Sequence, residues 1–150
     1  MFTLITEFKC HFHTIEGEFL CAGNKLTSLK GAPIIIRDDF DCSNNQLTYL
    51  FYGPMYVGGS FNCSNNQLVS LVQSPGIIWK DFNCSSNCIS SFNEGPNIVN
   101  GSYICNNNFF NSINGLAQNI GGDLNILGNK YQFTQEEIRK VSNIRHAIIL

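Results

Sequence analysis

Apolar and polar positions recur along the chain with a period of 21 residues. The unit FDCSNNQLTYLFYGPMYVGGS, residues 40–60, is followed directly by FNCSNNQLVSLVQSPGIIWKD, residues 61–81. With the opening phenylalanine counted as place one, place one holds Phe19, Phe40, Phe61, Phe82, Tyr103 and Leu124, place three holds Cys21, Cys42, Cys63, Cys84, Cys105 and Ile126, and place six holds Asn24, Asn45, Asn66, Asn87, Asn108 and Asn129. Leucine or another apolar residue recurs at places eight and eleven, and isoleucine or valine at place eighteen. The pattern predicts a solenoid whose coils bury their apolar positions against one another.

Each place in the unit predicts a local structure. Apolar side chains at places one and three are typical of a short strand whose alternate residues point inward, with cysteine as a small residue that buries readily. At place six, where the chain is predicted to leave the strand, the asparagine side chain is predicted to form hydrogen bonds with backbone groups of its own and neighbouring coils. Proline at place fifteen prevents a helix on the return path, and glycine pairs such as Gly58 and Gly59 allow a sharp entry into the next strand.

The unit F-x-C-x-x-N-x-L resembles the leucine-rich-repeat pattern L-x-L-x-x-N-x-L. In full, it looks like the short leucine-rich repeats common in proteins of bacteriophages and other large DNA viruses, clearly over residues 19–132. The resemblance implies a right-handed leucine-rich-repeat solenoid or horseshoe. It would have a parallel β-sheet on one face, an irregular return side, few helices and a C-terminal capping helix. Repeat scaffolds carry many different partners, so the fold by itself says little about function.

The register divides one domain, residues 1–150, into three parts. Residues 1–18 read as an N-terminal half-repeat without its own strand at place one, with Ile15 at place eighteen. Residues 19–123 hold five 21-residue repeats, and residues 124–150 hold a partial repeat and the capping helix.

A helix is predicted over 134–145. Thr134 followed three residues later by Glu137 forms a capping box. Ile138, Val141, Ile144 and then Ile148 recur at helical spacing, so they predict the apolar face that would close the solenoid. The family that the repeats resemble often finishes with a similar segment.

Composition excludes several classes of protein. Nine Lys/Arg against eleven Asp/Glu give a net charge of −2, which is no basic footprint for nucleic acid. No stretch approaches membrane-spanning length, so no membrane partner is expected. The N-terminus lacks the basic start of a signal peptide, which predicts a cytoplasmic protein, in the host cytoplasm if the protein is viral.

The seven cysteines are predicted to be free thiols. Their number is odd, a ladder of like residues offers no unique pairing, and no secretion signal places them in an oxidising compartment. Cys10, His11 and His13 cluster, and Cys84 and Cys88 lie four apart, but neither group has the paired spacing of a structural zinc site. We therefore expect no metal and no cofactor.

Catalytic motifs are not found in the sequence. It has no glycine-rich phosphate loop, no nucleophile elbow and no acid pair set in an apolar pocket. We expect a protein that is not an enzyme.

Two surfaces are candidates for binding a protein partner. The first, the aromatic patch, falls where related repeats usually have small or charged residues; its members are Tyr49, Phe51, Tyr52, Met55, Tyr56 and Trp79. The alternative, the strand face, comprises places twenty-one, two and four of each unit, which are expected to be exposed; its members include Asp41, Asn62, Asn83, Asp81 and Ser64. Residues 42–79 contain no charged residue, so a partner docking there would displace no tightly bound water from a charge.

These observations favour a protein-binding repeat protein without catalysis. The resemblance to phage proteins implies a viral accessory factor that binds a host protein such as a defence enzyme, and inhibition of that protein is one version of this hypothesis. A self-assembling structural or scaffold component is the alternative, and a small enzyme or nucleotide-binding protein is the third reading. The strand at Phe19–Cys21 is an unpaired sheet edge in this register, which predicts a homodimer joined there.

Overall fold

The chain is a parallel β-solenoid, seen in a computed structural model that describes residues 5–9 and 12–150. Each coil contributes two short strands. In chain order the strands are β1 (Thr14–Ile15), β2 (Phe19–Leu20), β3 (Ile35–Ile36), β4 (Phe40–Asp41), β5 (Tyr56–Val57), β6 (Phe61–Asn62), β7 (Ile77–Ile78), β8 (Phe82–Asn83), β9 (Ile98–Val99), β10 (Tyr103–Ile104), β11 (Asn119–Ile120), β12 (Leu124–Asn125), β13 (Asn143–Ile144) and β14 (Ile148–Ile149). One helix, α1 (Gln135–Val141), lies between β12 and β13.

The main sheet is built from places one and two and runs through seven strands in the order β2-β4-β6-β8-β10-β12-β14. Phe40 pairs with Phe61 and Phe61 with Phe82, so the 21-residue step of the sequence is the register of the sheet. The aromatic rings of the place-one column lie on one another inside the solenoid, with centroid distances of 5.0–6.1 Å. The predicted solenoid with a parallel sheet on one face is therefore confirmed.

The return side is more regular than the sequence analysis expected. Places seventeen and eighteen form two further parallel sheets, β1-β3-β5 and β7-β9-β11-β13. The residue at place eighteen is buried in each strand of these sheets from β3 to β11, whereas its neighbour at place seventeen faces outward. Isoleucine and valine at these places suit a half-buried pleated strand, which explains the extra sheets.

Each coil turns two tight corners at left-handed residues. Every described residue with a positive φ falls at place five or place thirteen of a unit. Place five holds Gly23, Asn44, Asn65, Ser86, Asn107 and Gly128, and place thirteen holds Gly31, Tyr52, Gln73, Glu94 and Gly115. Glycine and asparagine adopt this conformation at low cost, but tyrosine does not.

The place-six asparagines tie successive coils together, as the sequence predicts. Asn66 Nδ2 donates to the carbonyls of Cys63 and Ser64 in its own coil, at 3.2 Å each, and to Cys42 in the preceding coil at 3.0 Å. Its Oδ1 accepts the N–H of Leu47, also in the preceding coil, at 3.0 Å. The same bonds to the preceding coil recur at Asn45, Asn87, Asn108 and Asn129.

The C-terminal end corrects the predicted helix over 134–145. The capping box is present, but α1 ends at Val141, and residues 143–144 and 148–149 form strands that extend the sheets by one more coil. Ile144 and Ile148 are buried as strand residues rather than as a helical face, and Val141 is 44% exposed. Helical spacing was the wrong period for these residues because a 24-residue coil places them at the buried strand positions, paired with Ile120 and Leu124.

At the N-terminal end, the predicted register is observed. Ile5 N–H donates to Asn24 Oδ1, the bond that place eight makes in later coils, and Ile15 pairs with Ile36. Phe8 packs on Phe19 with ring centroids 5.4 Å apart. Within the described residues, β2 is bonded on one side only, by β4.

Tyr103 replaces phenylalanine in the place-one column and leaves a polar atom in the core. Its hydroxyl lies beside the Cys84 thiol but makes no hydrogen bond of good geometry among the described residues, and burial raises its pKa. Tyr103→Phe removes this unpaired group, so we expect stability against urea to rise by about 1 kcal/mol. Tyr131→Phe is the control, because its exposed hydroxyl bonds Glu137 and should matter little. A Tyr103→Phe variant that unfolds at lower urea than the parent would contradict the expectation.

Candidate functional site

The aromatic patch is exposed at every one of its members. Tyr52 and Met55 are 65% and 78% exposed, and the remaining four are 38–49% exposed. Tyr49 and Phe51 stack face to face with ring centroids 5.1 Å apart. The structure thus leaves a large apolar area on the second and third coils that the core does not use.

A groove runs through this area between the first, second and third coils. It has a volume of about 770 Å³, and Ile34, Phe51, Tyr52 and Met55 form much of its apolar lining. At place sixteen the first and second coils carry the large side chains of Ile34 and Met55, whereas the third coil carries Gly76. Because glycine has no side chain, the groove is open at this place of the third coil. Sequence reasoning named Phe51, Tyr52 and Met55, but the concavity that brings them together depends on tertiary structure.

The structure divides the aromatic patch into three parts. Phe51, Tyr52 and Met55 line the groove, and Tyr49 stacks on Phe51 at its side. Tyr56 lies at the outward place of β5, paired in register with Ile35, and Trp79 follows β7. Neither Tyr56 nor Trp79 is among the described residues that line the groove.

The return-side ladder is interrupted beside the groove. β3 bonds to β5 and β7 bonds to β9, but β5 and β7 belong to different sheets. The third coil enters this junction through Gly76 and leaves it through Trp79. From β1 to β13, the hydrogen-bonded ladder of the return side is broken once, at the step from β5 to β7, whereas the main sheet is continuous. The aromatic patch lies at this break.

Tyr52 holds an unfavourable backbone conformation. Its φ is +66°, at the place that is glycine in the first and fifth units. A left-handed non-glycine residue costs about 1–3 kcal/mol, and such residues cluster at functional sites. Its N–H donates to Gln73 Oε1 at 3.3 Å, and its ring is mostly in solvent, so packing does not explain the choice of tyrosine.

Charge around the groove is sparse. Among its described lining residues only Lys30 is charged, and the next charges along the return side of the first three coils are Arg37, Asp38, Asp39 and Lys80. Lys80 Nζ lies 3.0 Å from Asp38 and 3.3 Å from Asp39, so these charges largely compensate one another. The pKa of Asp39 is lowered, first by the Ser60 backbone N–H that it accepts.

The polar side chains of the strand face form hydrogen bonds within the protein. Asn62 Oδ1 accepts the backbone N–H of Ser64 at 3.1 Å and the Ser64 hydroxyl at 2.8 Å. Asn83 makes the same pair of bonds to Ser85, and Asp41 accepts the N–H of Ser43 at 2.8 Å. These bonds support the corner that follows each strand.

Places twenty-one and four are also structural. Asp81 Oδ1 accepts the N–H of Ser102 in the next coil at 2.7 Å, and Asp39 accepts that of Ser60 at the same distance. Ser64 is only 4% exposed, as a member of a buried place-four column. The expectation that place four is exposed was therefore wrong for Ser64, because its hydroxyl turns back to Asn62 instead of out to solvent.

Five place-three cysteines lie in the core as free thiols. Burial raises the pKa of Cys21 to about 12, with Asp41 as a lesser cause, and burial likewise raises the pKa of Cys42, Cys63 and Cys84. Cys88 is free and exposed. Cys10 and His11 lie outside the described residues, and His13 is exposed.

We predict slow reaction of the core thiols with an aromatic disulfide reagent at neutral pH. Thiolate is the reactive form, and both burial and a raised pKa disfavour it. Cys88 should react at once in the folded protein, and unfolding without reductant should release all seven thiols. Cys88→Ser is the control that removes the contribution of Cys88 to the fast phase. A recovery well below seven on unfolding would show disulfides.

Metal and membrane chemistry find no support in the part of the chain that the structure describes. No three His, Cys, Asp or Glu side chains there come close enough together to hold a metal ion. No described helix is both long and apolar enough to cross a membrane.

Comparison with known proteins gives no relative, since no family model, no curated protein and no solved structure matches the chain. Fold and site together define a class: a parallel β-solenoid of 21-residue coils with an apolar groove across its second and third coils.

Proposed function

We propose that the protein is a non-catalytic binding protein that docks a protein partner on the aromatic patch. The observation that carries the proposal is the exposure of Phe51, Tyr52 and Met55, at 42%, 65% and 78%, along an apolar groove. Exposed apolar patches of this kind mark protein interaction sites.

The aromatic patch is favoured over the strand face by what each side chain already does. Asp41, Asn62 and Asn83 are committed to corner bonds, and Asp81 bonds the next coil. Phe51 and Met55 are exposed without such a role. A partner with an apolar, uncharged segment fits the groove, because it would find large side chains and few charges to desolvate.

The repeat pattern supports a finer proposal. Its resemblance to the short leucine-rich repeats of bacteriophages and large DNA viruses favours a viral accessory factor. Such a factor would act in the host cytoplasm and bind, and through binding inhibit, a host protein such as a defence enzyme. A self-assembling scaffold is the second candidate function, and the open edges of the main sheet favour it.

The test combines capture of a partner with stability. A partner identified by affinity capture with the parent protein is titrated against purified variants. Tyr52→Gly should weaken binding about 30-fold, since losing an aromatic anchor costs about 2 kcal/mol or more. The same change should leave stability unchanged or higher, because relief of left-handed strain outweighs the flexibility of glycine.

Glu94→Gly is the matched control. It replaces the residue at the same place of the fourth coil, where φ is +60°, by glycine. Glu94 is not itself among the described lining residues of the groove, and it touches that lining through its backbone carbonyl, which accepts the Ser74 hydroxyl at 3.4 Å and which the substitution keeps. It should keep full binding. Asn83→Asp tests the strand face while preserving the acceptor oxygen of that corner. Asn62 is left unchanged, because its amide donates to Asp41 Oδ2 at 3.3 Å and a carboxylate there would repel Asp41. If Asn83→Asp abolishes binding and Tyr52→Gly does not, the site lies on the strand face.

A further inference from the structure

Over residues 5–9 and 12–150, the main sheet has an open edge at each end of the solenoid. In the described residues, β2 is paired only with β4, and β14 only with β12. The return-side sheets end likewise, with β1 at one end of the molecule and β13 at the other. Unpaired edges of this kind are templates for another chain.

Backbone groups at the two edges of the main sheet are complementary. Phe19 and Cys21 donate their N–H groups to Asp39 and Asp41, so the N–H and C=O of Leu20 between them point away from β4. At β14 the carbonyls of Ala147 and Ile149 accept from Leu124 and Ile126. The N–H groups of Ile148 and Leu150 therefore point away from β12.

If β14 of one copy lies one coil before β2 of another copy, the hydrogen bonds between these two strands repeat those between neighbouring strands inside one solenoid. Inside the solenoid, place one donates to place twenty-one of the same unit, the residue directly before the next strand, and place three donates to place two of the next unit. Across a junction of two copies, Ile148 N–H would donate to Glu18 and Leu150 N–H to Leu20. The same shift sets β13 beside β1, since both lie at places seventeen and eighteen.

Side chains at the two ends match in the same register. Leu20 and Ile149 are 59% and 42% exposed and occupy place two, a column that is Asp or Asn in four of its five other coils. One coil apart, they would cover each other. In a two-fold symmetric dimer joined through its N-terminal ends, β2 would instead pair with an antiparallel copy of itself. Leu20 would be covered, but Ile149 would stay exposed.

Charges at the ends are complementary as well. Arg145 follows β13 at place nineteen, and Glu16 follows β1 at place nineteen. Within one chain, Glu16 lies 3.8 Å from Arg37, the place-nineteen residue of the next coil. In the junction, Glu16 would meet the Arg145 of the neighbouring copy on its other side.

From these four matches, we propose that copies of the chain associate head to tail, with β14 of one copy pairing in parallel with β2 of the next and continuing the solenoid. Such a contact is heterologous, so it extends into filaments instead of closing as a dimer. It uses the ends of the solenoid and leaves the aromatic patch free, so it stands independently of partner binding at that patch, and it gives the second candidate function, a self-assembling scaffold, a specific arrangement.

Two proline variants test the arrangement in purified protein without a partner. Leu20→Pro removes the outward N–H of β2, and Leu150→Pro removes one of the two outward N–H groups at β14, directly after the strand. Both positions lie on the free side of an edge, where proline is tolerated. Sedimentation velocity over a concentration series should show the parent growing beyond two chains. Each variant alone should remain a monomer, and their equimolar mixture should form a species of two chains and stop there.

Several outcomes would overturn the proposal. The first is a parent protein that stays monomeric at every concentration, and the second is an equimolar mixture of the two proline variants that forms no pair. The third is a Leu150→Pro variant that dimerises by itself, which would indicate a homodimer through the N-terminal edge. Circular dichroism checks that the variants fold. If a proline variant does not, Leu20→Lys and Ile149→Lys replace it, because lysine guards an edge strand from outside. Trp79→Ala is the control and should assemble like the parent.

Discussion

Replacing Asn66 by alanine is expected to cost about 1–3 kcal/mol of the free energy of unfolding. The substitution leaves the part-buried Leu47 N–H without its acceptor. The carbonyls of Cys42, Cys63 and Ser64 also lose the Asn66 amide, but each keeps a second donor, in Asn45, Asn87 and Asn44 respectively. Against a total stability of about 5–15 kcal/mol, this loss is a large fraction for a marginal domain. Urea denaturation followed by circular dichroism measures it.

Two further variants make the Asn66 result specific. Asn66→Asp keeps the acceptor but sets a carboxylate oxygen against three carbonyls, so it should be at least as damaging as alanine. Asn111→Ala changes an exposed asparagine and should shift stability by no more than about 0.5 kcal/mol. Equal effects at Asn66 and Asn111 would mean that the asparagine ladder does not hold the coils together.

Ile138→Asp should disrupt the C-terminal coil, with a loss of at least about 3 kcal/mol. Ile138 is the fully buried residue of α1, and a carboxylate there would be desolvated without a partner or would have to take up a proton. Because repeats fail from an uncapped end, we also expect aggregation. Thermal unfolding and size-exclusion chromatography report both effects.

Val141→Asp is the matched control, since it puts the same charge in the same helix at a position that is 44% exposed. It should be nearly neutral. Deleting residues 133–150 is the extreme case, because it uncovers Ile120 and Leu124 by removing their partners Ile144 and Ile148. A soluble, fully stable truncation would show that this last coil does not cap the solenoid.

The aromatic patch was predictable only in part. Its residues broke the repeat pattern visibly, so Phe51, Tyr52 and Met55 could be named from the sequence. Their concavity arises from stacking three coils, and the left-handed φ of Tyr52 depends on a corner shared by all units. Gly31 and Gly115 at the same place were the available signal for that corner.

The strand face shows the opposite error. The alternation of side chains along a strand predicted that Asp41, Asn62 and Ser64 lie on one outward surface. The Ser64 side chain is instead buried, and its hydroxyl donates a hydrogen bond to Asn62, two residues earlier. A pattern of polar residues carries no information on whether their hydrogen bonds go to a partner, to water or to the chain itself.

By itself the sequence determined the coil length, the register, the buried columns and the bonding role of the asparagines, because a translational repeat makes every local contact recur at a constant offset. Tertiary structure decided what does not repeat. The last coil has 24 residues, so periodicity misplaced Ile144 and Ile148, and only their pairing with Ile120 and Leu124 fixes them as strand residues. The groove and the complementary edges arise from how whole coils stack, which is a property of surfaces and not of the period.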